Sequence, residues 1–377
     1  MLLTVLPVVF LILTTIILYK RSAEGWRDSV LRAAVVSGAV IALTVELLGA
    51  VRLLGRTALA LFWVLSSLVV AVWAFWSSRK DLRCSTYRII KWTTELASLL
   101  PVLVGSLLLV TAVALAALLS PPGPVDVHLY HMPRVLFWLQ HRSVDHYPTV
   151  SHQQLFMPPW AEFAALHLYA LEADDHLINL VHFASYVGCG LAASSLAKLL
   201  GASLLAQTTS GIFALTLPQA VLTASGSKND LTVAFWIVTA AYFAVSYIRR
   251  QRSSDLVFLA FASGLSIFTK ATAYVWLPPV LLVIFACHGR HGLTRLLRSL
   301  PLLAAACFVL NAWHYGRNFT IFGSPWGCDA ANCGTPYKFL NADYRPQAAL
   351  SNVIRNLTSH VTTPIPTINR SAYELAV

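Results

Sequence analysis

Charge is scarce in this chain. Asp, Glu, Lys and Arg make up 11% of its 377 residues, against about 25% in an ordinary soluble domain. Acidic residues are the scarcer kind, 16 against 27 Lys and Arg. The short nucleotide and hydrolase signatures are missing too. There is no P-loop, G-x-G-x-x-G, G-x-S-x-G or H-E-x-x-H, so nucleotide-driven and motif-based hydrolytic chemistry have no support. The chain shows no internal repeat and no low-complexity tract. No basic residue precedes the first apolar run, while Lys20, Arg21, Arg27 and Arg32 follow it. A cleavable signal peptide has the opposite order, so the run reads as a retained helix with its N-terminus outside.

What is there is apolar. The hydrophobic fraction is 57% and the mean hydropathy +0.66, which points to an all-α polytopic membrane protein. At about 20 residues per span, roughly ten transmembrane helices fit. They fall near 2–19, 33–51, 57–77, 96–119, 176–199, 203–224, 230–248, 255–270, 272–287 and 297–315. Four regions result: an N-terminal transmembrane bundle (1–119), an outer loop (120–175), a C-terminal transmembrane bundle (176–317) and an outer tail (318–377). The tail is either the chain's natural end or the cut edge of a longer protein.

Threading the spans puts Arg79, Lys80, Arg83, Arg88 and Lys91 inside, with Arg249, Arg250, Arg252, Arg290, Arg295 and Arg298. The short outer connections hold only Arg52, Arg56 and Lys228, as the positive-inside rule requires. The net charge of +11 therefore sits at helix ends facing lipid headgroups, and no nucleic-acid partner is expected. Of the six cysteines only Cys328 and Cys333 share an outer segment, where they suit a structural disulfide or, less well, a metal. Asn318, Asn356 and Asn369 stand in N-x-Ser/Thr sequons.

One stretch, 121–159, concentrates polar groups. It holds Asp126, His128, Tyr130, His131, Arg134, His141, Arg142, Asp145, His146, Tyr147 and His152, and Glu162 follows. Such groups are costly near a bilayer unless they face water, a partner or a substrate. Leu129, Met132, Leu136 and Leu139 recur near helical spacing, which suits an amphipathic interfacial helix with a kink or late start at Pro133. A second short helix is expected from Trp160 to Leu171, opened by Pro158 and Pro159. Together the two would roof the spans that follow.

Asp126 has two readings, a base at the mouth of an aqueous pocket or a helix N-cap. If helix begins there, Tyr130 and Arg134 follow on the same face. Lys228 and Asp230 at an outer helix end read as an ion pair and cap or as a phosphate clamp. Lys270, between two apolar runs, either snorkels or faces water, an anion or a carboxylate. His314, Tyr315 and Arg317 lie at another outer end, whereas Glu46 reads as structural. His131, His141, His146 and His152 show no paired ligand spacing. No resident cofactor is expected, and a divalent metal is the less favoured alternative.

Five segments in this order resemble the type C glycosyltransferase superfamily: VDVHLYHMPRVLFWLQHRSVDHYP, MPPWAEF, SKNDLTVAFW, GLSIFTKATAYVWLPP and RNFTIFGSPWG. The resemblance spans roughly residues 100–330. It is to bacterial polyprenyl-phosphate-sugar-dependent enzymes of the protein O-mannosyltransferase and aminoarabinose transferase group (glycosyltransferase family 39-like). It implies an inner-membrane enzyme moving a sugar from a polyprenyl-phosphate donor to a glycan, lipid or protein acceptor, with its site on the periplasmic side. Asp126 then matches the catalytic loop carboxylate, with His128 and His131 as neighbouring catalytic candidates. Tyr130, Arg134, Glu162, Lys228, Asp230, Lys270 and Arg317 become substrate-binding candidates. The chain departs from many relatives in having Asp126-Val127-His128 where they carry two adjacent acids, and three or four helices before the motif instead of one. A lipid-linked-sugar carrier or an inactive partner subunit is the competing reading.

Overall fold

The computed structural model describes residues 2–22, 24–78, 99–328, 345–360, 363 and 365–376. These residues are all-helical and contain no strand. Helices α1 (Val5–Arg21), α2 (Trp26–Ala50) and α3 (Arg56–Ser78) pack together, and α4 (Leu100–Leu119) precedes the long connection. That connection carries a π-helical turn (Val127–His131), α5 (Met132–His141), the single turn α6 (Gln153–Phe156) and α7 (Trp160–Glu172). The rest of the bundle is α8 (Asn179–Leu199), α9 (Leu204–Thr216), α10 (Pro218–Thr223), α11 (Asp230–Arg250), α12 (Ser253–Thr269), α13 (Ala273–Ala286) and α14 (Gly289–Phe322). Two polar helices, α15 (Pro346–His360) and α16 (Pro366–Ala376), follow.

Six of these helices are long and apolar enough to cross a membrane: α2, α3, α4, α8, α11 and α14; α12 and α13 are shorter apolar helices. On α3, Leu61, Leu65, Leu68, Val69, Val72 and Trp76 all face outward. An unpaired apolar surface of that kind suits lipid rather than water, so the chain is a multi-pass membrane protein. The expected spans at 255–270 and 272–287 correspond to α12 and α13, which separate at an extended Lys270. The expected 203–224 span breaks at Leu217–Pro218, and the Tyr186 hydroxyl caps the Leu215 carbonyl beside the break. The expected 297–315 span is part of a 34-residue helix, about 51 Å long at 1.5 Å per residue.

The connection between α4 and α8 corrects the interfacial-roof expectation. Helix α7 starts at Trp160 as the double proline dictates, but its residues from Trp160 to His167 are all buried. It packs on α2, α3, α5, α8 and α12 and so joins the first helices to the later ones. Trp160 donates to the Gly38 carbonyl at 2.9 Å, and Trp63 donates to His167 at 3.0 Å. Helix α5 begins at Met132 with Pro133 in its first turn, and buries Arg134, Val135 and Trp138 while Leu136 stays outside.

Charged side chains gather at opposite ends of the bundle. At one end Arg32 of α2 bonds Asp28 at 2.7 Å and also Asp255 of α12. Tyr242 and Ser246 of α11 donate to the same two carboxylates, each at 2.7 Å. Arg250 and Arg252 close on Glu24 at 2.6 and 2.8 Å. At the other end, Glu46 meets Arg317 where α2 and α14 finish, and Asp230 meets Lys270 where α11 starts and α12 stops.

Candidate functional site

The second end holds most of the residues singled out in the sequence, and one local device brings them together. Asn179, fully buried at the start of α8, donates to the Ala117 and Ser120 carbonyls at 3.2 and 3.0 Å and accepts from the Ser227 hydroxyl. The Ser227 amide donates to the Gly123 carbonyl at 3.3 Å. A Cβ on Gly226 would sit 3.0 Å from that oxygen, so the closeness of the two segments depends on glycine there. One turn on from Asn179, His182 pins the start of α11: its Nδ1–H donates to the Thr223 carbonyl and Nε2 accepts from the Leu231 amide, both at 2.9 Å. The result lays residues 223–231 against 117–126.

Lys228 thereby reaches Asp126 at 3.2 Å. The side chains are 27% and 46% exposed, so the pair is open to a ligand. Asp126 has helical backbone angles and makes no capping bond, which corrects the capping alternative. A second pair stands alongside, Lys270 to Asp230 at 2.5 Å. Tyr130 is half-buried within the fields of Asp126, Asp230 and Glu162. Burial first, and then those carboxylates, push its hydroxyl well above the usual tyrosine range, so it stays protonated at neutral pH. Its ring lies 4.2 Å from that of His131.

The π-helical turn explains why Arg134 does not join Asp126. The Met132 amide bonds back to the Val127 carbonyl, five residues earlier. The wider turn breaks the four-residue spacing on which a shared face depended. His131 and Arg134 point inward instead and share Glu162 Oε1 at 2.8 and 2.9 Å. Arg134 also donates to the Met157 carbonyl at 2.8 Å and covers the Trp138 ring at 4.8 Å. All three residues are interior, at 4% (His131), 1% (Arg134) and 2% (Glu162) exposure. Burial pushes the Glu162 carboxyl up, but Arg134 and His131 outweigh it and hold it below the usual carboxylate range. The other oxygen, Oε2, has no partner from another residue. His131 and Glu162 border a cavity of about 10 Å³, room for about one water, which Ser227 and Lys228 also line.

His128 is exposed and makes no hydrogen bond or ion pair among the described residues. Arg317 stands apart from the lysines, in a bidentate pair with Glu46 at 2.6 and 2.7 Å. His314 and Asn318 hold the connection instead, through the Phe156 carbonyl at 3.0 and 3.3 Å. Among the described residues the outer-loop histidines gather no metal-ligand cluster; the one such group, Asp174, Asp175 and His176, lies beyond the end of α7. Cys328 is disulfide-bonded, and its expected partner Cys333 lies outside the described residues.

Sequence reasoning missed Asn179 and His182. With Ser185 they form an i, i+3, i+6 polar row on an apolar helix, and that period was the available signal. No family model, no curated protein and no solved structure matches this chain.

Proposed function

We propose that the protein is a membrane glycosyltransferase that takes a sugar from a polyprenyl-phosphate donor, with Asp126 as the base. The observation that carries this reading is the pairing of Lys228 with Asp126 and of Lys270 with Asp230 side by side, next to a hydroxyl held protonated on Tyr130. The concentration of basic residues at the Arg32 and Arg250 end supports a cytoplasmic position for that end, with the lysine pairs on the outer face.

Two ammonium groups at one helix end suit a phosphate. In the free protein each is neutralised by a carboxylate. A donor phosphate draws Lys228 from Asp126, and an unpaired carboxylate binds a proton more strongly than a paired one. Asp126 then takes the proton of an acceptor hydroxyl as its oxygen attacks the anomeric carbon. The bond from that carbon to the phosphate oxygen breaks, and polyprenyl phosphate leaves with the electron pair. Lys228, Lys270 and the Tyr130 hydroxyl stabilise the charge on the departing phosphate. Glu162, His131 and Arg134 brace the turn that carries Asp126 and Tyr130, a positioning role rather than the catalytic part expected of His131 and the substrate contact expected of Arg134 and Glu162.

The test uses the full chain in nanodiscs with polyprenyl-phosphate-linked sugars. Lys228→Ala and Lys270→Ala should each weaken donor binding by about tenfold or more, about 1.4 kcal/mol. Arg317→Ala should leave it unchanged, because Arg317 sits in another cleft. No donor binding to the wild type, or equal loss in all three variants, would refute the assignment. A lipid-linked-sugar carrier would show the same binding pattern and release no polyprenyl phosphate.

A further inference from the structure

A second recess on the same end lies away from the lysine pairs. It is a cleft of about 610 Å³ between the ends of α2 and α14, within the usual size of ligand sites (about 300–1,000 Å³). Glu46 and Arg317 form part of its lining, and their bidentate pairing leaves neither charge free for an ionic ligand. Trp313, 53% exposed, lines it from α14. Beside it is Gly316, where an added Cβ would meet nothing within 4 Å.

Asp145 lines this cleft and also a neighbouring cavity of about 190 Å³. Its carboxylate is exposed and makes no hydrogen bond or ion pair among the described residues, so both oxygens are available to a ligand. The smaller cavity adds Arg52, His146 and the stacked rings of Phe137 and Tyr147, whose centroids are 4.2 Å apart. His146 is fixed in one tautomer. The Asn318 amide nitrogen donates to the Phe156 and Pro325 carbonyls, so its oxygen faces His146 and the ring donates from Nε2 at 3.0 Å. Nδ1 is left as an acceptor. Burial pulls the imidazole down to about 4, which keeps it neutral at neutral pH.

Aromatic faces, an unengaged carboxylate, a guanidinium and a neutral imidazole match a ligand rich in hydroxyls and carrying apolar C–H faces. Carboxylate and guanidinium each engage adjacent hydroxyls, and rings stack on pyranose faces. The balance of Asp145 against Arg52 favours an uncharged ligand, and two recesses meeting at Asp145 favour more than one sugar unit. We propose that this cleft is a binding site for a neutral glycan, distinct from the Asp126–Lys228 pair. The site stands whether or not the protein transfers sugar; if it does, the cleft is where a glycan acceptor would be held.

Calorimetric titration of the full chain in nanodiscs with maltotriose, mannotriose and chitotriose tests this. At least one should bind saturably. Asp145→Ala and Trp313→Ala should each weaken that binding by about tenfold, about 1.4 kcal/mol. Gly316→Phe, which fills the cleft, should abolish it. Lys228→Ala should leave it unchanged, so failure of the donor site and failure of this one are told apart. Equal thermal unfolding of the variants confirms intact folds. The proposal is overturned if none of the three binds, if binding survives Gly316→Phe and Asp145→Ala, or if Lys228→Ala removes it instead.

Discussion

Replacing Glu162 tests the interior triad. The carboxylate is 2% exposed and its Oε1 serves both His131 and Arg134, at 2.8 and 2.9 Å. Glu162→Gln keeps the volume and an acceptor oxygen but removes the charge. Arg134, 1% exposed, is then a cation with only neutral oxygen partners, the introduced amide oxygen and the Met157 carbonyl. Breaking a buried ion pair costs about 3–5 kcal/mol, and the retained acceptor puts Glu162→Gln near the lower end, at about 3 kcal/mol. Combining it with Arg134→Met removes the stranded charge, and the double variant should recover about 1–3 kcal/mol relative to the sum of the singles. Asp126→Asn, at a half-exposed pair, should cost less than about 1 kcal/mol. Equilibrium unfolding in mixed micelles at neutral pH reads all four. A loss below about 1 kcal/mol for Glu162→Gln, or strict additivity with Arg134→Met, would refute the reading of a tightly coupled buried pair.

At the opposite end, Arg32→Met strands Asp255, 0% exposed, and leaves Asp28, 2% exposed, with only Arg250 at 3.8 Å as a cationic partner; the same assay should show a loss of about 3–5 kcal/mol. Gly327→Ala places a Cβ 2.1 Å from Phe156 Cβ at a φ of +91°, so it should cost about 2 kcal/mol or more and expose residues 143–157 to protease. His146 gives a pH dependence. Its folded value is about 4 against an ordinary 6.5, so the unfolded chain takes up the proton first. Its contribution is complete above pH 6.5 and is lost as pH falls toward 4, by about 1–2 kcal/mol after discounting for partial exposure. His146→Asn should flatten that part of the stability profile.

The helices were legible because hydrophobic runs and their breakers act locally. The double proline before Trp160, Pro133 in the first turn of α5 and the break at Lys270 all fall where composition placed them. The burial of α7 was not legible, because its alanines and single Glu look the same on an interfacial helix as on a packed one. Nor was the choice of partners: Lys228 takes Asp126 rather than nearby Asp230, and Glu46, read as structural, takes Arg317. Those pairings join segments far apart in sequence and exist only once the bundle forms. The network of Asp28, Arg32 and Asp255 was hidden for a different reason. Its arginine lies among basic residues whose positions already had an explanation in topology, and burial is what gives it a second role.

The most direct test of the central claim is single-turnover release of polyprenyl phosphate from a sugar-loaded donor, comparing wild type with Asp126→Asn in nanodiscs. If Asp126 is the base, the wild type releases polyprenyl phosphate when acceptor is added. Asp126→Asn then binds donor at least as tightly, since Lys228 is freed, yet releases about 10²–10⁴-fold more slowly, the usual contribution of a positioned base. Release at the wild-type rate by Asp126→Asn would contradict that role.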